Sequence, residues 1–77
     1  MKWNSDKSLN KVFLFNSFKE ALNFVNQVGD LAEKENHHPD IYLHDYKKVK
    51  ISLFTHEKQA ITALDHSLAK KIDNLLL

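Results

Sequence analysis

Three of the five histidines stand where they could form one chemical site. His37 and His38 are adjacent and are followed at once by Pro39, and His56 comes later in the chain. Histidine is the natural general acid or base near neutral pH, because its unperturbed pKa is about 6.5. Glu33 lies four residues before His37, so the two side chains share a helix face if the helix persists that far. In that case we expect Glu33 to orient the His37 ring.

The residues alone leave three interpretations of these histidines open. They can be surface or half-buried side chains with ordinary hydrogen bonds, since lone histidines rarely do chemistry. They can form a three-histidine metal site, although the H-E-x-x-H spacing is absent. They can form a metal-free acid–base cluster, which requires the strand before His56 to lie beside the helix end that carries His37 and His38. His44 and His66 are expected on a strand and in the first turn of a helix, and we give them less weight.

The histidine pair is predicted to follow a long amphipathic helix. Apolar residues at steps of three and four predict this helix over residues 18–36. Ser17 and Glu20 have the spacing of a capping box at its start. Pro39 ends it, because the residue before a proline is disfavoured in the α region. Gly29, inside the helix, is expected to permit close packing against another backbone.

The remaining segments predict an α+β fold. Runs of β-prone residues predict strands over residues 11–15, 41–46 and 49–55. Residues 45–48 are expected to form a hairpin turn without a glycine. Thr62 and Asp65 predict the start of a second helix. Residues 2–10 are interpreted as a lead-in anchored by Trp3. This order favours helices on one face of an antiparallel sheet.

Composition limits the classes of function. The 77 residues predict a single domain spanning residues 1–77, and the absence of cysteine excludes disulfides and Cys-based zinc sites. A net charge of +1 argues against direct binding of nucleic acid through its phosphates. No apolar run approaches the ~20 residues needed to span a bilayer, and the N-terminus has no signal-peptide core. We therefore expect a cytoplasmic protein without a membrane partner.

The joint spacing of the polar and aromatic residues resembles the pterin-4a-carbinolamine dehydratase family, also called 4a-hydroxytetrahydrobiopterin dehydratase. The resemblance extends from about residue 11 to residue 72. The residues that carry it are, in order, Glu33, His37, His38, Pro39, Tyr46, His56 and Asp65. Their intervals of three, six, nine and eight intervening residues are together far more specific than a lone His-His-Pro.

The resemblance implies a fold and a reaction. The fold is a four-stranded antiparallel sheet with helices packed on one face, assembled into a homodimer or homotetramer. The enzyme is a hydro-lyase that needs no metal and no organic cofactor. It converts 4a-hydroxytetrahydrobiopterin to quinonoid dihydrobiopterin and water during tetrahydropterin biosynthesis and recycling. The alternative is a non-catalytic protein-binding module on the same scaffold, such as a dimerisation cofactor or an assembly chaperone.

The resemblance also implies roles for individual residues. Proton transfer falls to His37 and His56, while His38 binds and orients the pterin and Glu33 holds His37. The expected substrate-binding residues are Asn36, His37, His38, Thr55, His56 and Glu57, with Asp65 supporting them from the start of the second helix. One departure is Ala60, where the family usually has glycine. Glycine suggests a positive φ that alanine tolerates poorly, so the loop after His56 is expected to be rerouted.

Overall fold

Four antiparallel strands and two helices make up the residues that the structure, a computed structural model, describes, 2–77. In chain order they are β1 Asn4–Ser5, β2 Leu9–Leu14, α1 Phe18–Glu35, β3 Asp40–His44, β4 Lys48–Leu53 and α2 Ala63–Asn74. The strands lie in the order β1-β2-β4-β3, and each neighbouring pair is antiparallel. This arrangement confirms the predicted α+β class.

The core lies between the sheet and the two helices. Alternate residues of β4 point into it, and the apolar stripes of α1 and α2 cover them. Each large apolar side chain buried in this way stabilises the fold by about 1.5–3 kcal/mol. The buried apolar residues are Leu9, Phe13, Ala21, Phe24, Val28, Ala32, Val49, Ile51, Leu53, Leu68, Ala69 and Ile72.

Helix α1 begins where its capping residues predict. The Ser17 hydroxyl accepts from the backbone N–H of Glu20 at 3.1 Å, as an N-cap does. The Glu20 carboxylate accepts instead from the backbone N–H of Asn16 at 3.2 Å, one residue before the position that a capping box requires. A Cβ at Gly29 would meet open space in the described chain, so the close packing expected there is wrong.

The N-terminal segment is more than a lead-in. Asn4 pairs with Asn10 and Ser5 with Leu9, so a fourth strand forms where the sequence shows no apolar alternation. Trp3 does anchor this segment, as predicted. Its ring packs edge-on against Phe13, and its Nε1–H donates to Asp73 Oδ2 at 3.1 Å.

The turn between β3 and β4 forms without a glycine, as expected. Asp45 and Tyr46 supply two successive positive φ angles of 48° and 51°. Aspartate adopts this left-handed conformation more readily than most residues, whereas tyrosine has no such preference.

No helix within residues 2–77 is long and apolar enough to cross a membrane.

Candidate active site

The end of α1 sets the direction in which His37 leaves the helix. Asn36 adopts a left-handed conformation with φ 53°. Its N–H donates to the Glu33 carbonyl, and the N–H of His37 donates to the Ala32 carbonyl at 3.1 Å. These two bonds define a Schellman motif, the common left-handed helix end. His37 therefore lies outside the helical path of α1.

This turn changes the partner of Glu33. The Glu33 carboxylate contacts Nε2 of His38, and both side chains are largely exposed. The prediction that Glu33 holds His37 is wrong, because the helical i, i+4 geometry ends before His37. The partner of His37 is Asp65, whose Oδ1 lies 2.6 Å from His37 Nε2.

Asp65 is fully buried at the start of α2, and its carboxylate accepts several hydrogen bonds. Its Oδ2 accepts from the backbone N–H of Thr62 at 2.9 Å and lies 2.8 Å from the hydroxyl of Thr55. Burial raises the pKa of Asp65, but the hydrogen bonds from His37, Thr62 and Thr55 outweigh burial and lower it below its ordinary 3.8. Asp65 is therefore ionised at neutral pH and accepts from all of these donors.

His56 follows the end of β4 on a tight loop, residues 56–59. Thr55 and Ala60 pair across the base of this loop. The carbonyl of His56 accepts from the side-chain amide of Gln59 at 2.7 Å. The positive φ of the loop, 53°, falls on Gln59 and not on Ala60. The strain expected at Ala60 is thus absent, because its neighbour adopts the left-handed conformation.

The three histidines meet in one cleft of about 270 Å³. The residues that line this histidine cleft are Asn36, His37, His38, Phe54, Thr55, His56, Glu57 and Leu64. They come from the end of α1, the end of β4 and the first turn of α2. Two clefts of about 310 Å³ lie elsewhere, beside Asp73, and neither contains any of these three histidines.

The cleft brings together every residue predicted to bind substrate, but not every predicted catalytic residue. Glu33 does not line it. Thr55 lines it but is buried, and its hydroxyl is engaged with Asp65 and Thr62. Its hydroxyl therefore supports Asp65, and its predicted contact with substrate stays a prediction.

Sequence reasoning missed the two apolar residues of the cleft. The Phe54 ring packs edge-on against the His56 ring, with centroids 5.1 Å apart. Leu64 is 57% exposed in the first turn of α2, an unusual position for a large apolar side chain. A large apolar residue in the first turn of α2, two positions after the capping residue Thr62, was the available signal. Together Phe54 and Leu64 give the cleft an apolar wall.

The cleft is suited to proton transfer on a small ring compound. Imidazoles, a carboxylate and apolar side chains are the mixture typical of small-molecule sites, whose volumes start near 300 Å³. Across residues 2–77, no three histidine, cysteine, aspartate or glutamate side chains are grouped so that they could hold a metal ion.

Comparison with known proteins identifies the family. The family model of pterin 4 alpha carbinolamine dehydratase matches residues 1–75. The chain belongs to this family. A dehydratase-family relative from Sulfurisphaera tokodaii, whose name assigns that activity provisionally, is 53% identical over 68 residues, covering 88% of this chain and 72% of the relative. A second, from Alkaliphilus metalliredigens, is 48% identical over 69 residues, 90% of this chain and 61% of the relative. The chain is thus shorter than these pterin-4a-carbinolamine dehydratase relatives.

Two solved structures show the same fold. A transcriptional coactivator/pterin dehydratase from Brucella melitensis superposes with a TM-score of 0.82 at 31% identity, covering 96% of this chain and 78% of that one. A pterin dehydratase-like protein described as a RuBisCO assembly factor superposes with a TM-score of 0.79 at 23% identity, covering 97% and 89%. The second likeness is one of fold alone.

Proposed function

We propose that this protein is a hydro-lyase that dehydrates 4a-hydroxytetrahydropterins, with 4a-hydroxytetrahydrobiopterin as the representative substrate, in tetrahydropterin recycling. The observation that carries the proposal is the convergence of His37, His38 and His56 on one cleft beside a buried carboxylate. Membership of the dehydratase family supports the same reaction.

The reaction needs two proton transfers at neighbouring atoms. One base takes the proton from the ring nitrogen N5, and the N5 electrons form the C4a–N5 double bond. The C4a–O bond breaks, and an acid protonates the departing oxygen, which leaves as water. The product is the quinonoid dihydropterin. We assign these transfers to His37 and His56, each contributing roughly 10²–10⁴-fold to the rate.

The other cleft residues bind the substrate in this proposal. His38 lies at the exposed rim with Glu33 against its ring, a place suited to binding and orienting the pterin. Asn36 and Glu57 supply polar groups that can pair with the edge of the heterocycle. Phe54 adds apolar surface for a flat ring, and apolar walls are what hold most small ligands.

The proposal is tested by stopped-flow dehydration of 4a-hydroxytetrahydrobiopterin with purified protein. His37→Ala and His56→Ala are each expected to lower kcat by about 10²–10⁴-fold, because each removes one proton-transfer group. His44→Ala is the matched control. It removes an exposed imidazole from β3, outside the cleft, and should keep the wild-type rate.

Two results would reject the assignment. Wild-type turnover in both cleft variants would exclude His37 and His56 from the reaction. A folded wild-type protein that does not exceed the spontaneous rate would reject the dehydratase itself and favour the binding module as the function.

A further inference from the structure

Asp65 and the two threonines beside it form a chain of hydrogen bonds whose directions can be assigned. An ionised carboxylate has no proton to give and only accepts. The hydroxyl of Thr55, 2.8 Å from Asp65 Oδ2, must therefore donate its single proton to that oxygen. The hydroxyl of Thr62 lies 2.7 Å from Thr55 Oγ1. Since the Thr55 proton is already used, Thr62 donates to Thr55.

Thr62 satisfies the rest of this arrangement. Its hydroxyl oxygen accepts from the backbone N–H of Leu64 at 3.3 Å while its proton points to Thr55. Its own backbone N–H donates to Asp65 Oδ2. Oδ2 thus has two donors, which leaves Oδ1 for His37 alone. No buried side-chain nitrogen or oxygen among residues 2–77 lacks a hydrogen-bond partner, so the chain is complete.

We propose that Thr55 is a positioning residue: through Asp65 it keeps the proton of the neutral His37 ring on Nε2, so that Nδ1 is the nitrogen that exchanges a proton with the substrate. The geometry that carries this is the 2.6 Å contact between His37 Nε2 and Asp65 Oδ1 together with the two hydroxyl contacts at Oδ2. Asp65 is held from two sides, and it can accept from His37 only if Nε2 carries the proton.

The expected change in kcat rests on the proposed function, whereas the expected tautomer of His37 does not. A histidine ring that binds a carboxylate through one nitrogen reacts through the other, as in hydrogen-bonded catalytic histidines generally. Loss of the Thr55 hydroxyl frees Asp65 to shift. The ring can then adopt the other tautomer, and misplacement of a catalytic group by about 1 Å can cost up to ~10²-fold in rate.

The direct test is nitrogen NMR of the histidine rings in uniformly ¹⁵N-labelled protein. Long-range proton–nitrogen spectra are recorded at a pH high enough that the ring signals no longer move, and His37 is assigned by comparison with His37→Gln. We expect His37 to be in the Nε2–H form. An Nδ1–H ring in the wild-type protein would overturn the proposal without any further variant.

Variants of Thr55 test its part. Thr55→Val keeps the shape but removes the hydroxyl, and we expect a mixture of His37 tautomers and a kcat lowered roughly 10-fold with KM changed less than about twofold. Thr55→Ser returns a hydroxyl and should restore the Nε2–H form and most of kcat. Ser52→Ala, which removes a β4 hydroxyl bonded to Ser8 outside the cleft, is the control and should alter neither.

The outcomes separate this proposal from the proposed function. If folded Thr55→Val keeps His37 entirely in the Nε2–H form, the role of Thr55 is overturned, whatever the kcat of that variant. If Thr55→Val does not fold, a serine variant whose His37 ring departs from the Nε2–H form would equally overturn it. An Nε2–H ring in a wild-type protein without dehydratase activity would reject the function and leave the hydrogen-bond chain supported.

Discussion

At the scale of single residues, Asp65 has the most consequential surroundings. It is a fully buried carboxylate with donors from a histidine ring, a backbone N–H and a hydroxyl. Such a group stabilises a fold only while it is ionised and paired, because an unpaired buried charge is costly. Its contribution to stability must therefore depend on pH.

Asp65→Asn is expected to lower the free energy of unfolding by about 2 kcal/mol at neutral pH, since it weakens hydrogen bonds to a charged acceptor. The pKa of Asp65 in the folded protein lies below its ordinary 3.8. The stabilisation is thus fully present above 3.8 and is lost as the pH falls through the lower, native pKa. Urea unfolding at neutral and at acid pH measures this loss. The difference in the free energy of unfolding between variant and wild type should become smaller in acid.

Asp45→Asn is the matched control for that experiment. A hydrogen bond from His44, and then the charge of Lys48, lower the pKa of Asp45 as well, but its side chain is exposed. Exposed pairs contribute little because water screens them. An equal loss of stability in both variants would contradict the importance of burial at Asp65.

At the scale of elements, the starts of both helices could be predicted from the sequence because local side chains determine them. Ser17 caps α1, and Thr62 with Asp65 forms a complete capping box on α2. The pairing of Glu33 could not be predicted by helical spacing, since it depends on the left-handed turn at Asn36. Strand β1 was missed because two polar residues carry no periodic signal and need β2 as a partner. The convergence of His56 on His37 depends on strand order, which no local pattern encodes.

The loop of residues 56–59 allows a prediction at this scale. Gln59 has φ 53°, which costs a non-glycine residue about 1 kcal/mol or more. Gln59→Gly removes this strain but also removes the exposed hydrogen bond from the Gln59 amide to the His56 carbonyl, so it should raise the free energy of unfolding by less than about 1 kcal/mol. Ala60→Gly should lower it by about 0.4–1 kcal/mol, because it only adds freedom to the unfolded chain. Thermal unfolding shows whether each variant is more or less stable than the wild type. A destabilised Gln59→Gly with a stabilised Ala60→Gly would place the strain at Ala60.

At the scale of the whole molecule, side-chain contacts connect the N-terminal strands with the end of α2. Asp73 near the end of α2 accepts from Trp3 and from Lys11, whose Nζ lies 2.8 Å away and also sits over the Phe13 ring. The core is small, however, as expected for a chain of 77 residues. Several large apolar side chains stay exposed, namely Leu14, Phe18, Leu22, Tyr42, Tyr46, Leu64, Leu76 and Leu77.

We propose that the protein is a homodimer or homotetramer. Within residues 2–77, strand β3 pairs on one side only, with β4, so its other edge can accept a strand of a second copy. Light scattering coupled to gel filtration should give a mass of two or four chains of 9.0 kDa. A monomer at micromolar concentration would reject this proposal.

The double use of Asp65 affects how members of this family should be sorted. The same carboxylate completes the cap of α2 and binds His37. A descendant that abandoned the chemistry and kept only the scaffold would still need this aspartate in order to fold. Its presence in a newly sequenced member is therefore uninformative about turnover. His37 shares this ambiguity because it is a partner of the buried carboxylate. Under the proposed function, replacement of the exposed His56 is the change that would identify a scaffold that has left catalysis behind.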